Sequence, residues 1–115
     1  NQYPEFEYLN ASLDELLMSE SHRRQLAYLE TDYFGGVGTQ SAILYENQAI
    51  GLGPLKTEIR WNSELMSCEI LPEGKQAINQ VLERIGVRKV GEKDEFDSIE
   101  LGFCRSNQKI IKKCL

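Results

Sequence analysis

Histidine is scarce in this sequence and its cysteines fall in no ligand or pairing motif, and each of these excludes a chemistry. The single histidine, His22, lies in the hydrophilic run Ser19-Glu20-Ser21-His22-Arg23-Arg24, with no nucleophile elbow or Cys-His signature elsewhere to recruit it. It reads instead as a cation placed near a helix C-terminus. The three cysteines, Cys68, Cys104 and Cys114, form no C-x-x-C and have no histidine close in sequence. Neither a zinc site nor a paired disulfide framework is therefore expected, and the thiols suit a reducing cytosol. No apolar run reaches the length of a membrane span, and the first residues carry no basic-then-apolar leader. The expectation is a cytoplasmic chain with no membrane partner.

Positive charge is also in deficit. Thirteen Lys and Arg against eighteen Asp and Glu leave a formal net charge of −5 in 115 residues. Nucleic acids and anionic membranes demand a basic footprint, so a basic partner fits better. The imbalance is local as well. Residues 1–22 hold Glu5, Glu7, Asp14, Glu15 and Glu20 without one Lys or Arg, whereas Arg105, Lys109, Lys112 and Lys113 follow Cys104 without an acid.

What the chain has in abundance is turn chemistry. Tyr33-Phe34-Gly35-Gly36-Val37-Gly38-Thr39-Gln40 puts three glycines in four positions between two strand-like runs, so the backbone there either turns tightly or is approached closely. A phosphate loop would feed a helix, but the residues after this one are β-branched and aromatic. Upstream, Gln25 to Phe34 reads as a strand, and downstream the near-continuous apolar run within Gln40 to Glu46 reads as another. Asn47-Gln48 then reverses the chain into Ala49 to Gly53, and Pro54, which cannot donate to a ladder, is expected to end that strand or mark its edge. A further hairpin is expected over residues 55–74, with alternating Leu55, Ile59 and Trp61, a reversal near Asn62-Ser63, and alternating Met66, Cys68 and Ile70.

Two or three helices are expected, of which two can be placed. Ser12-Leu13-Asp14-Glu15 has the form of a capping box, followed by a stripe of Leu13, Leu16 and Leu17. The second is clearer: Ile78, Val81, Leu82 and Ile85 recur at i, i+3, i+4 and i+7, Pro72 and Glu73 suit the opening turn, and Gly86 supplies the stop. The predicted fold is a single α+β domain over 1–115, a mainly antiparallel sheet with the helices near 13–22 and 75–85 packed on one face.

No catalytic, metal or cofactor set assembles from spacing alone. Asp94-Glu95-Phe96-Asp97 groups three carboxylates around an aromatic but lacks the alternation, glycine and closing Glu of a calcium loop. It reads either as a capped turn or as an acidic contact for a basic partner. Trp61 is open between core anchor and exposed contact.

The order Leu26-Ala27-Tyr28-Leu29-Glu30-Thr31-Asp32-Tyr33-Phe34-Gly35-Gly36-Val37-Gly38-Thr39-Gln40-Ser41-Ala42, then Gly53-Pro54, Ile78-Asn79, Ile85-Gly86-Val87, Asp94-Glu95-Phe96-Asp97 and Leu101-Gly102, resembles a bacterial family of small cytosolic proteins over residues 26–105. Short acidic proteins of this kind are similar to the immunity proteins that accompany contact-dependent growth-inhibition toxins. The resemblance implies a non-enzymatic inhibitor with no cofactor, whose partner is a cognate toxin domain, basic in charge, with nucleases among the candidates. Asp32, Tyr33, Asp94, Glu95, Phe96 and Asp97 are the expected contact residues, with Glu15 and Glu20 next. Two rival expectations are a small hydrolase using the acids near Asp94 and a small-ligand sensor with the glycine turn as its lid.

Overall fold

The computed structural model describes residues 3–88 and Asp94. A helix α1 (Ala11–Glu20) precedes four strands, β1 (Leu26–Phe34), β2 (Val37–Glu46), β3 (Ala49–Asn62) and β4 (Ser67–Leu71), and a second helix α2 (Ala77–Arg84) follows. The strands form one antiparallel meander in the order β1-β2-β3-β4. The α+β class and the antiparallel sheet agree with the sequence expectation.

The helices do not share a face. On β2, Ala42 and Leu44 pack against Ala77, Ile78, Val81 and Leu82 of α2, with Ala27, Leu29, Leu52 and Leu55 alongside. Ile43 and Tyr45 point the other way, into Phe6, Leu9, Leu13, Leu17 and Met18 of α1 and the segment before it. Successive side chains of a strand alternate between faces, so an unbroken buried run from Gln40 to Tyr45 requires cover on both sides. Phe6 meets the Tyr28 ring edge-on at 5.4 Å, closing this second layer.

Each two-residue turn is set by its backbone. Gly35 and Gly36 both have positive φ, at 63° and 87°, between the paired Phe34 and Val37, the arrangement whose twist matches the strands it joins. Asn47 and Gln48 do the same at 53° and 61° between Glu46 and Ala49. Gly38 serves a different need: a Cβ there would lie 2.1 Å from the Asp32 carbonyl oxygen, so the two strands approach only because it has none.

Two local expectations are corrected, and a third holds in one of its two forms. Pro54 does not end its strand, since β3 runs on to Asn62, but it does lie at an edge: β4 pairs only with Glu58 to Asn62, and the register with β2 shifts between Ala42 and Tyr45, so the proline sits at a bulge where no ladder donor is needed. The cap of α1 is Asn10, extended at φ −114° and ψ 172°, whose Oδ1 accepts from the Leu13 amide at 2.8 Å, so Ser12 lies inside the helix. Leu16 leaves the expected stripe for solvent, and Asp14 takes the inward place.

Pro72 and Glu73 likewise precede α2 and do not open it. Its first free amides are satisfied by the sheet: Ala77 donates to Thr57 Oγ1 at 2.9 Å and Ile78 to Gln40 Oε1 at 3.0 Å. At the other end the Gly86 stop holds, with Val87 N donating to the Leu82 carbonyl and Gly86 N to that of Glu83, which is a Schellman closure.

Candidate interaction surface

Asp32 and Tyr33 are neighbours in β1 and therefore project from opposite faces. Asp32 is exposed on the face covered by the N-terminal segment. Tyr33 lies on the α2 face, where its hydroxyl donates to Gln76 Oε1 at 2.8 Å and accepts from Gln40 Nε2 at 3.1 Å. It helps to hold the helix N-terminus against the sheet. Asp94 is on the same side, its Oδ2 accepting from Asn79 Nδ2 of α2 at 3.0 Å. The expected contact set is therefore divided, with Asp32 apart from Tyr33 and Asp94. Glu95, Phe96 and Asp97 lie outside the described residues, as do Cys104, Cys114 and the basic tail. Glu15 is exposed on α1, and Glu20 is 4.0 Å from Arg23. His22 sets Nδ1 2.6 Å from the Ser19 carbonyl oxygen at the end of α1, the place expected of it.

Two carboxylates that look reactive in a list of acids are structural. Glu30 is buried; its Oε1 accepts from the Glu7 amide at 2.8 Å, and its Oε2 from the Tyr8 amide at 3.0 Å and the Tyr28 hydroxyl at 2.7 Å. It thereby ties the N-terminal segment to β1. Asp14 is buried under α1, accepting from Tyr45 Oη at 2.6 Å and Tyr3 Oη at 3.4 Å. Burial first, and then the carboxylate beside each, push the Tyr28 and Tyr45 hydroxyls well above the ordinary tyrosine range.

Around Glu30 opens a polar cavity of about 160 Å³. Glu5, Glu7, Glu30 and Asp32 line it with Thr39 and Ser41, and Lys56 is the one base in the lining among the described residues. Sequence spacing hid this mouth, because Glu5 and Glu7 meet Asp32 only after the N-terminal segment folds back over β1; Ser41 Oγ secures that return by donating to the Glu5 carbonyl at 2.6 Å. A second hollow, beside α2, is lined by Glu73, Lys75, Glu83 and Arg84, but three of these charges are paired: Lys75 with Glu83, and Arg84 with Glu46 at 3.4 Å.

The mouth continues into the end of the sheet. Asp32 and Phe34 share one face of β1, and an up-and-down meander places the β1–β2 and β3–β4 turns at the same end. Large apolar side chains are exposed at this end, Phe34 at 89%, Met66 at 72%, Leu65 at 69% and Trp61 at 54%, but the register sets Phe34 on the face of Asp32 and Trp61 on the face of Thr57 and α2. Trp61 is thus a surface residue. Both hairpins were legible in the sequence, whereas the faces their side chains take follow from the register.

Among the described residues, no three His, Cys, Asp or Glu side chains converge in a way that could hold a metal ion, and no helix is long and apolar enough to cross a membrane. The chain matches no family model, no curated protein and no solved structure.

Proposed function

We propose that this chain is a non-catalytic binding domain that neutralises a basic toxin domain, in the manner of a bacterial immunity protein. The observation that carries the reading is the acidic mouth: Glu5, Glu7, Glu30 and Asp32 brought together around a cavity with one lysine opposing them. Opposite fields raise the rate at which two proteins find each other and fix their register. Toxin domains that act on nucleic acid present a basic cleft, and an acidic inhibitor occupies it in place of phosphates. The net charge of −5 and the resemblance over residues 26–105 support the same reading.

Co-expression with a cognate toxin domain should restore growth, and the purified proteins should associate more slowly as salt rises. Asp32→Lys should slow that association by up to about tenfold at low salt, because a rim charge acts on encounter more than on dissociation. An association rate indifferent both to salt and to Asp32→Lys would remove the acidic mouth from the account.

A further inference from the structure

We infer that a second copy of this chain docks on the strip formed by Ile59, Trp61, Cys68 and Ile70 on the α2 face of β3 and β4, so that two sheets meet face to face about a two-fold axis. The ladder brings these four residues together. Ile59 is directly opposite Ile70 and Trp61 directly opposite Cys68, and residues paired in this way project from the same face. Thr57, two residues before Ile59, identifies the face, because its Oγ1 accepts from the Ala77 amide at the start of α2. The helix then runs away from the strip: its apolar side meets Ala42, Leu44, Leu52 and Leu55, and the last two precede Thr57 on β3. None of the four strip residues belongs to either packed layer among the described residues. Trp61 and Cys68 are exposed, and the two isoleucines are half-buried.

Charge decides the occupant. The charged residues of these two strands are Lys56, Glu58, Arg60 and Glu69, and strand alternation sends all four to the opposite face, that of Asp32 and the mouth. There Arg60 lies 3.7 Å from Glu58 and 3.8 Å from Glu69. The strip is left uncharged in a chain whose net charge is −5. A basic surface finds no acid on it, whereas a two-fold sets apolar against apolar with no strand charge of either copy aimed into the contact. Glu64 in the β3–β4 turn and Glu73 between β4 and α2 flank the strip along the chain, and Lys75 beside Glu73 is paired with Glu83. Repulsion between two copies therefore comes from these flanking acids and from the net charge, and salt screens it.

Four side chains a copy are few against the about 20–30 residues a side of a standard interface, so the dimer is weak and exchanges rapidly. The mouths lie on the outer faces of the stacked sheets and stay open in both copies. The inference is accordingly independent of the binding reading above.

Sedimentation equilibrium of the full chain, under reducing conditions, should show the average mass rising from 13.2 kDa toward twice that as the protein is concentrated to about 1 mM. The association should tighten several-fold as salt is raised, the reverse of what a basic partner at the mouth would show. Trp61→Ser and Cys68→Lys should each weaken it by about fivefold or more, although Cys68→Lys lowers the net negative charge and would strengthen a non-specific attraction. Phe34→Ser, on the other face, should leave it unchanged. Trp61 is the only tryptophan, and its emission should move to the blue over the same concentration range. The mass of a single chain at every concentration would overturn the proposal; emission already blue in dilute protein would then assign the strip to another segment of the same chain, and emission red throughout to a different protein. A dimer that both Trp61→Ser and Cys68→Lys leave intact would overturn it equally.

Discussion

Two tyrosine hydroxyls carry a large part of what buries charge in this molecule. Tyr45 donates to Asp14 and Tyr28 to Glu30, so each hydroxyl must stay protonated for its carboxylate to remain satisfied. Burial and the neighbouring carboxylate raise the folded-state pKa above the unfolded value of about 10. The unfolded chain then loses its tyrosine protons first. The associated stability is fully present below pH of about 10 and falls as pH climbs above it. Urea unfolding between pH 9 and 11 should show a falling midpoint that is shallower in Tyr45→Phe. That variant should lose about 1–3 kcal/mol at pH 7, because buried Asp14 loses the donor to its Oδ1 and keeps the longer bond from Tyr3. The turn glycines separate on the same scale. Gly36 has open space where a Cβ would go, so Gly36→Ala should cost only its positive φ, about 1–2 kcal/mol. Gly38→Ala meets the Asp32 carbonyl and forces the strands apart, so roughly 3 kcal/mol or more is expected by the same denaturation measurement.

Among the elements, α2 is the one whose identity was easiest to read and whose attachment was hardest. Its apolar spacing and the Gly86 stop are local facts, visible in a window of ten residues. Its N-terminus is held by Gln40 and Thr57, which no local pattern connects to Ala77 and Ile78. The same division explains the two helical layers. The run Ala42-Ile43-Leu44-Tyr45 reports burial on both faces of β2, yet which helix covers which face follows from the three-dimensional path alone. Pro54 does mark an edge stretch of β3, and the strand continues past it because a bulge tolerates what a regular ladder does not. For the interaction surface, Asp32 was legible as an exposed acid, but the company of Glu5 and Glu7 depends on the folded-back N-terminal segment. Gln40 is fully buried and satisfies both Tyr33 and the helix. Gln40→Leu should therefore cost about 2–3 kcal/mol despite adding apolar volume, since the Ile78 amide is stranded. Hydrogen exchange at Ile78 should accelerate along with the loss of stability, and exchange unchanged there would show that the helix start is held by something else.

At the scale of the whole molecule, the decisive quantity is where the negative field is left uncompensated. The acids beside α2 largely pair with neighbouring bases, Glu83 with Lys75 and Glu46 with Arg84, whereas the mouth under the N-terminal segment gathers four acids about Lys56. On the proposed reading, a basic partner should therefore approach from the mouth. Asp94 sits against α2 through Asn79, on the other side of the sheet from Asp32. The two sites consequently make opposite forecasts. If the mouth guides association, Asp32→Lys should reduce both the association rate and its salt slope, while reversal of Asp94, Glu95 and Asp97 to lysine should leave them close to those of the unaltered chain. Stopped-flow association with the co-expressed toxin domain, at low and at near-physiological salt, measures both. A larger loss from the triple reversal, in protein whose unfolding midpoint is unchanged, would transfer the contact to the α2 side, because surface charges more than about 8–10 Å apart act nearly independently at those ionic strengths.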